Sequence, residues 1–153
     1  MKDQKKQKLF YSGKKKKHTF KSQIVVDLES KKILCAAHSK GKEHDFQLFK
    51  KSKTHLQESV ICLGDKGYQG IQKIHQASLI PYKKSKKKKL SFQQKKFNKE
   101  LASIRIVIEH IYRCLKIFKI ISERYRNRRS RFSLRFNLIA GIYNYELSLK
   151  QSS

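Results

Sequence analysis

The chain has 153 residues, with 38 Lys and Arg against 11 Asp and Glu, a formal net charge of +27 and a pI near 10.2. That length suits one domain with a real core, and that charge calls for a polyanionic partner, nucleic acid above all. No apolar run approaches a membrane span, and MKDQKKQKLF lacks the apolar centre of a secretory signal.

Three scattered cysteines, Cys35, Cys62 and Cys114, form no CxxC pair. They fit neither a disulfide framework nor a zinc knuckle and read as reduced thiols of a cytoplasmic protein. Residues 1–17, ending in YSGKKKK, read as a basic N-terminal segment of loop or tail. HTFKSQIVVDL (18–28) alternates and then turns β-branched, which predicts a strand. After a turn at 29–32, ILCAAHS (33–39) predicts a second strand and an antiparallel hairpin. HDFQLFKKSKTH predicts a short helix with Phe46 and Phe49 on one face. ESVICLG (58–64) predicts a third strand that ends at Asp65.

Beyond the GYQG loop, IQKIHQASL predicts a short helix with Ile71, Ile74 and His75 on one side, and IPY (80–82) a brief strand. KKSKKKKL (83–90) is a run of like charges that repel one another. Then the period changes. Phe97, Leu101, Ile104, Ile108, Ile111, Leu115 and Phe118 form a sustained helical stripe. SERYRNRRSR (122–131) is an Arg-rich connector, and RFSLRFNLIAGIYNYEL (131–147) predicts a last helix facing inward with Phe132, Phe136, Ile139 and Tyr143. Residues 148–153 are a tail. The order β, β, α, β, α, short β, long α, α predicts an α/β layer fold with its mixed sheet early in the chain.

Two acids stand out in a chain poor in them. Asp65 closes a strand, where α/β sheets present ligand sites, and Gly64 and Gly67 leave room for a phosphate backbone to approach. Asp-Lys-Gly is equally a common strand exit, so a simple turn aspartate is the competing reading. Glu109 lies mid-helix at the edge of the apolar stripe. It could join Arg105 and Arg113, four residues either side, in a surface ion-pair ladder. Facing Asp65, it would instead complete an all-oxygen site for Mg²⁺ or Mn²⁺. Two such ions about 4 Å apart activate water and stabilise a leaving oxygen.

YSGKKKKHTFKSQ, KGKEHDFQLFK, GDKGYQGIQKIH, RIVIEHIYRCLKIFKI and ERYRNRRSRFSLRFNLIAGIYNYEL resemble, in order, the C-terminal part of DDE superfamily transposases. The nearest group is the IS-five type, related to the Harbinger endonucleases, and the resemblance runs from Tyr11 to Leu147. It implies an RNase H-like core, residues 18–147 here, whose Asp, Asp, Glu triad binds two divalent metals. By motif, Asp65 corresponds to the second acid and Glu109 to the third. The partners implied are DNA, both element ends and target, and further copies of the complete enzyme. In the family the first Asp sits on a strand upstream of the YSGKKK element. MKDQKKQKLF offers no such strand, and Asp3 is not assigned to the triad. The expectation is therefore an incomplete fold without its central first strand, inactive alone. It would be either the second half of a split transposase, completed by an upstream reading frame, or a decayed remnant.

Asp45 resembles the family's HD element, although His44 or Asp45 also suits a helix N-cap. His38, His44 and Asp45 lack the further His or Cys that a zinc site needs. Lys86 and Lys87 in the lysine run suit contacts to DNA phosphates, as do Arg124, Arg126, Arg128, Arg129 and Arg131 in the tract around Tyr125. The rival class is a non-enzymatic basic nucleic-acid-binding protein, which explains the charge but not the placement of the two acids.

Overall fold

A computed structural model of the chain describes residues 11–12, 17–18, 20–85, 89–122 and 129–151. The chain divides into two compact units, residues 1–43 with 107–153, and residues 44–106. The strands are β1 (Tyr11–Ser12), β2 (Lys17–His18), β3 (Phe20–Val26), β4 (Ile33–Lys40), β5 (Cys62–Leu63) and β6 (Ser78–Leu79). The helices are α1 (Asp45–Ser52), α2 (Phe92–Lys116), the one-turn α3 (Lys119–Ser122) and α4 (Phe132–Gln151). The class is α/β, as the order of elements predicted. Strands nevertheless pair only two at a time among the described residues: β1 with β2 and β3 with β4 antiparallel, β5 with β6 parallel. No helix of the described residues is long and apolar enough to cross a membrane.

In the first unit, the predicted hairpin forms as β3 and β4. Asp27 closes its turn: the carboxylate accepts the Ser30 N–H at 2.8 Å, and the Asp27 N–H donates to the Lys32 carbonyl at 3.0 Å. The segment 1–17 is not wholly irregular, because Tyr11 and Ser12 pair with His18 and Lys17. Paired strands satisfy backbone groups that an isolated polar stretch would leave to water.

The core of this unit joins Ile24 and Ile33 of the hairpin to Ile111 and Leu115 of α2 and to Phe132, Phe136, Ile139 and Ala140 of α4. Phe20 stacks on Phe132 with ring centroids 4.4 Å apart. The helical stripe therefore does find the sheet, through Ile111 and Leu115. Its last member, Phe118, falls beyond the end of α2 and is partly exposed. The final helix runs on to Gln151, past the predicted end at 147, because SLKQ contains no Gly or Pro to stop it.

Asn144 on α4 holds the hairpin by its backbone. Its Oδ1 accepts the Ile33 N–H at 2.9 Å and its Nδ2 donates to the Ile33 carbonyl at 2.9 Å. Asn144→Ala removes both bonds and leaves the strand groups without them. It should cost about 1–3 kcal/mol, read from the shift of the urea midpoint.

His38 stands edge-on against Phe132 and Phe136, with centroids at 5.2 and 4.6 Å, and its Nδ1 lies 3.0 Å from Ser22 Oγ. Burial lowers its pKa, offset in part by the neighbouring Asn137 side chain. The unfolded chain thus takes up the proton more readily than the folded one. This contribution to stability is complete above the ordinary histidine pKa of about 6.5 and is lost as pH falls below it. Thermal melts between pH 7 and pH 5 should show a shallower loss of Tm in His38→Leu than in the native sequence.

In the second unit, Leu48 and Phe49 of α1, Ile71 and Leu101 are buried. The third strand is shorter than predicted. Only Cys62 and Leu63 pair, because β6 offers only Ser78 and Leu79 as partners, and Val60 and Ile61 stay exposed. β6 itself lies two residues before the predicted IPY strand. The helix predicted after GYQG contracts to a 3₁₀ turn, Ile71–Lys73, preceded by Gly70 with φ of 89°. So short a segment cannot repay helix nucleation, and Ile74 is left outside. α2 opens on a capping box: Ser91 Oγ accepts the Gln94 N–H at 3.2 Å, and Gln94 Oε1 accepts the Ser91 N–H at 3.0 Å.

Candidate active site

Asp65 is the first residue past the β5–β6 ladder. The Gly64 N–H still donates to the Leu79 carbonyl at 2.9 Å, and there the pairing ends. Asp65 is extended, with φ −87° and ψ 169°, and caps the 3₁₀ turn Lys66–Tyr68. One carboxylate oxygen accepts the Lys66 N–H, and the Asp65 carbonyl accepts the Tyr68 N–H at 2.9 Å. The other carboxylate oxygen pairs with Arg105 Nη2 at 3.1 Å, and the side chain keeps 51% of its surface. The turn reading of Asp65 holds. It shapes the turn, and it presents an accessible carboxylate at a strand's end. Those oxygens are hard donors of the kind that Mg²⁺ and Mn²⁺ prefer.

Gly67 faces protein rather than open space. A Cβ there would lie 2.6 Å from Asp45 Oδ2 and 3.2 Å from Asp45 Cβ. A Cβ on Gly64 would lie 3.0 Å from Ile80 Cγ2. The two glycines therefore admit neighbouring side chains, which corrects the expectation that they clear space for a phosphate backbone. Asp45 is the first residue of α1, next to His44, which takes the N-cap position without a side-chain cap bond. A carboxylate in the first turn suits the helix dipole. The packing also places Asp45 against the turn that carries Asp65, which its position in sequence did not disclose.

Glu109 is exposed on α2 and belongs to the other unit, so each unit taken by itself contains one of the two acids. Among the described residues Glu109 makes no ion pair, and the ladder with Arg105 and Arg113 does not form. Arg105 serves Asp65 instead. Sequence spacing assigned that arginine only to its own helix, because partners distant in sequence leave no periodic signal.

Of the predicted DNA contacts, Arg131 is exposed. Arg129 lies in the 3₁₀ turn Arg129–Arg131, with its side chain outside what is described. Lys86, Lys87, Arg124, Arg126 and Arg128 lie outside the described residues, as does Asp3. No group of three or more His, Cys, Asp or Glu among the described residues could hold a metal ion, so His38, His44 and Asp45 form no such site. His75 is structural: Nε2 donates to the Gln57 carbonyl at 3.0 Å, leaving Nδ1 to accept from Ser78 Oγ at 2.9 Å.

The family described as DDE superfamily endonuclease matches residues 1–144. A probable transposase for insertion sequence element IS702, from Microchaete diplosiphon, is 56% identical over 146 residues, 95% of this chain and 53% of its own length. The chain thus spans about half the length of that relative. No solved structure matches.

Proposed function

Because the chain belongs to the DDE superfamily endonucleases, we propose that it is the C-terminal catalytic portion of an insertion-sequence transposase. Asp65 and Glu109 are two of the three carboxylates that hold a pair of Mg²⁺ or Mn²⁺ ions, and DNA is the substrate. The observation that carries this reading is Asp65 itself: an accessible acid at the carboxyl end of a parallel strand, inside a family whose members use divalent metals.

The strands add support. An RNase H-like sheet sets an antiparallel pair and a parallel pair on either side of a central strand that bears the first acid. Among the described residues the short antiparallel pair β1–β2 is followed by an antiparallel pair, β3–β4, and then a parallel pair, β5–β6. The first acid and its strand come, in this reading, from polypeptide upstream of Tyr11, fused or supplied by another reading frame.

Bound divalent ions would activate the attacking water and stabilise the leaving 3′ oxygen. The chain's own residues prepare for that chemistry. The Lys66 N–H fixes one Asp65 oxygen, and the Arg105 guanidinium balances the charge of the carboxylate that would hold a cation. Lysines and arginines neutralise the phosphates that two carboxylates would otherwise repel. No covalent enzyme–DNA intermediate is required, since water and then the freed 3′ hydroxyl act as nucleophiles.

DNA binding is the first test, because it does not depend on the missing acid. Each phosphate contact contributes about −0.9 to the slope of log K against log salt, so six contacts weaken binding about 10³-fold between 50 and 200 mM salt. The chain should bind unrelated duplexes alike, with a slope of that steepness. An affinity nearly flat in salt would refute the reading.

A further inference from the structure

Residues of the 44–106 unit line an open cleft of about 280 Å³, among them Gln69, Gln72, Leu79, Tyr82, Lys83 and Phe97. Its volume falls just below the range for drug-sized ligands, which suits something smaller. Two aromatic rings form part of it: Tyr82 and Phe97 meet at 61° with centroids 5.4 Å apart. Tyr82 remains 48% exposed, so its ring can take a second partner. The backbone that carries the ring is anchored. Asn98 Oδ1 accepts the Tyr82 N–H at 2.8 Å, and Asn98 Nδ2 donates to the Tyr82 carbonyl at 3.1 Å.

Gln69 and Gln72 add directed polarity. Their Nε2 groups donate to the Pro81 and Ser78 carbonyls at 3.5 and 3.3 Å, which leaves each Oε1 as an acceptor without a partner among the described residues. Lys83, Lys84 and Lys89 are exposed nearby in sequence, and among the described residues no acid lines the cleft. A metal ion would find no carboxylate here, and a purely apolar ligand would gain nothing from lysine and amide oxygens. An aromatic face beside basic residues is how proteins hold bases of unpaired strands.

We infer that this cleft binds one unstacked nucleobase of the DNA that the chain holds. Tyr82 stacks on the base, the Gln69 and Gln72 oxygens accept its N–H groups, and Lys83 meets the adjoining phosphate. The inference rests on the proposed function, since it presumes a DNA substrate. Extrusion of a base costs least where the base is already unpaired, so a bulged duplex is the natural probe.

The full chain would be titrated by fluorescence anisotropy with three labelled duplexes: fully paired, carrying one bulged adenine, and carrying an abasic bulge at the same place. The two bulges match in charge, so phosphate contacts cancel. The adenine bulge should bind about tenfold tighter than the abasic one. Tyr82→Ala should erase that difference and Tyr82→Phe should keep it, while both variants bind the paired duplex as the native chain does, which also certifies their folding. Equal binding of the two bulges by the native chain, or a preference that survives Tyr82→Ala, overturns the cleft and leaves the DNA reading standing. Failure to bind any of the duplexes overturns both.

Discussion

Asp65→Asn or Glu109→Gln, introduced into a full-length transposase in which this chain replaces the matching part of its Microchaete relative, should reduce metal-dependent nicking of supercoiled plasmid by on the order of 10³-fold. The size follows from what a carboxylate ligand does in such a site. Bound metal contributes several kcal/mol of charge stabilisation to the transition state, and each 1.36 kcal/mol is worth about tenfold in rate. Removing one negative oxygen ligand withdraws that contribution without removing a large side chain. Glu146→Gln on exposed α4 should leave nicking unchanged, which separates loss of a ligand from loss of any acid. On the proposed reading the chain by itself should bind DNA yet fail to nick it, since Asp65 and Glu109 supply only two of three carboxylates. Nicking by the unfused chain that persists in both variants would show that these acids do not carry the chemistry.

Core truncation should have the largest effect on stability. Leu115 is 0% exposed and Phe136 1%. Leu115→Ala should cost about 2–5 kcal/mol and Phe136→Ala about 3–5 kcal/mol, because the lost transfer energy is compounded by the cavity left behind. Domains are stable by only about 5–15 kcal/mol, so either change removes a large part of the total. Leu134→Ala is the control. Leu134 is 70% exposed on the same helix as Phe136, and its loss should shift the urea midpoint little. Comparable losses for Leu134→Ala and Phe136→Ala would mean that α4 is buried on a different face.

That helix is apolar on a second side as well. Leu134, Leu138, Ile142, Tyr145 and Leu149 all stay exposed, along the side of α4 away from Phe136 and Ile139. A helix apolar on both sides is ordinarily buried on both.

Several elements were decided by the sequence itself. Alternation followed by β-branched residues specifies β3 and β4, and the Asp27–Ser30 turn joins them, because these are local preferences of neighbouring residues. The stripe from Leu101 to Leu115 specifies a long helix, and Ser91 with Gln94 marks its start. Asp65 is legible as an acid that closes an apolar strand, because both the strand and its exit are local.

Tertiary structure alone decided the rest, wherever the determining partner lies far away in sequence. Strand β5 stops at two residues because its length depends on β6, not on the apolar run from Val60. The segment after Gly70 gives up its helix for the bonds His75 makes to Ser78 and Gln57. Arg105 leaves the predicted ladder for Asp65, 40 positions away, and Asn144 reaches a strand 111 positions away. Local preferences are worth tenths of a kcal/mol per residue, whereas a satisfied backbone or charged group is worth about one or more. Where the two compete, the distant partner wins, and no periodicity in the sequence announces it.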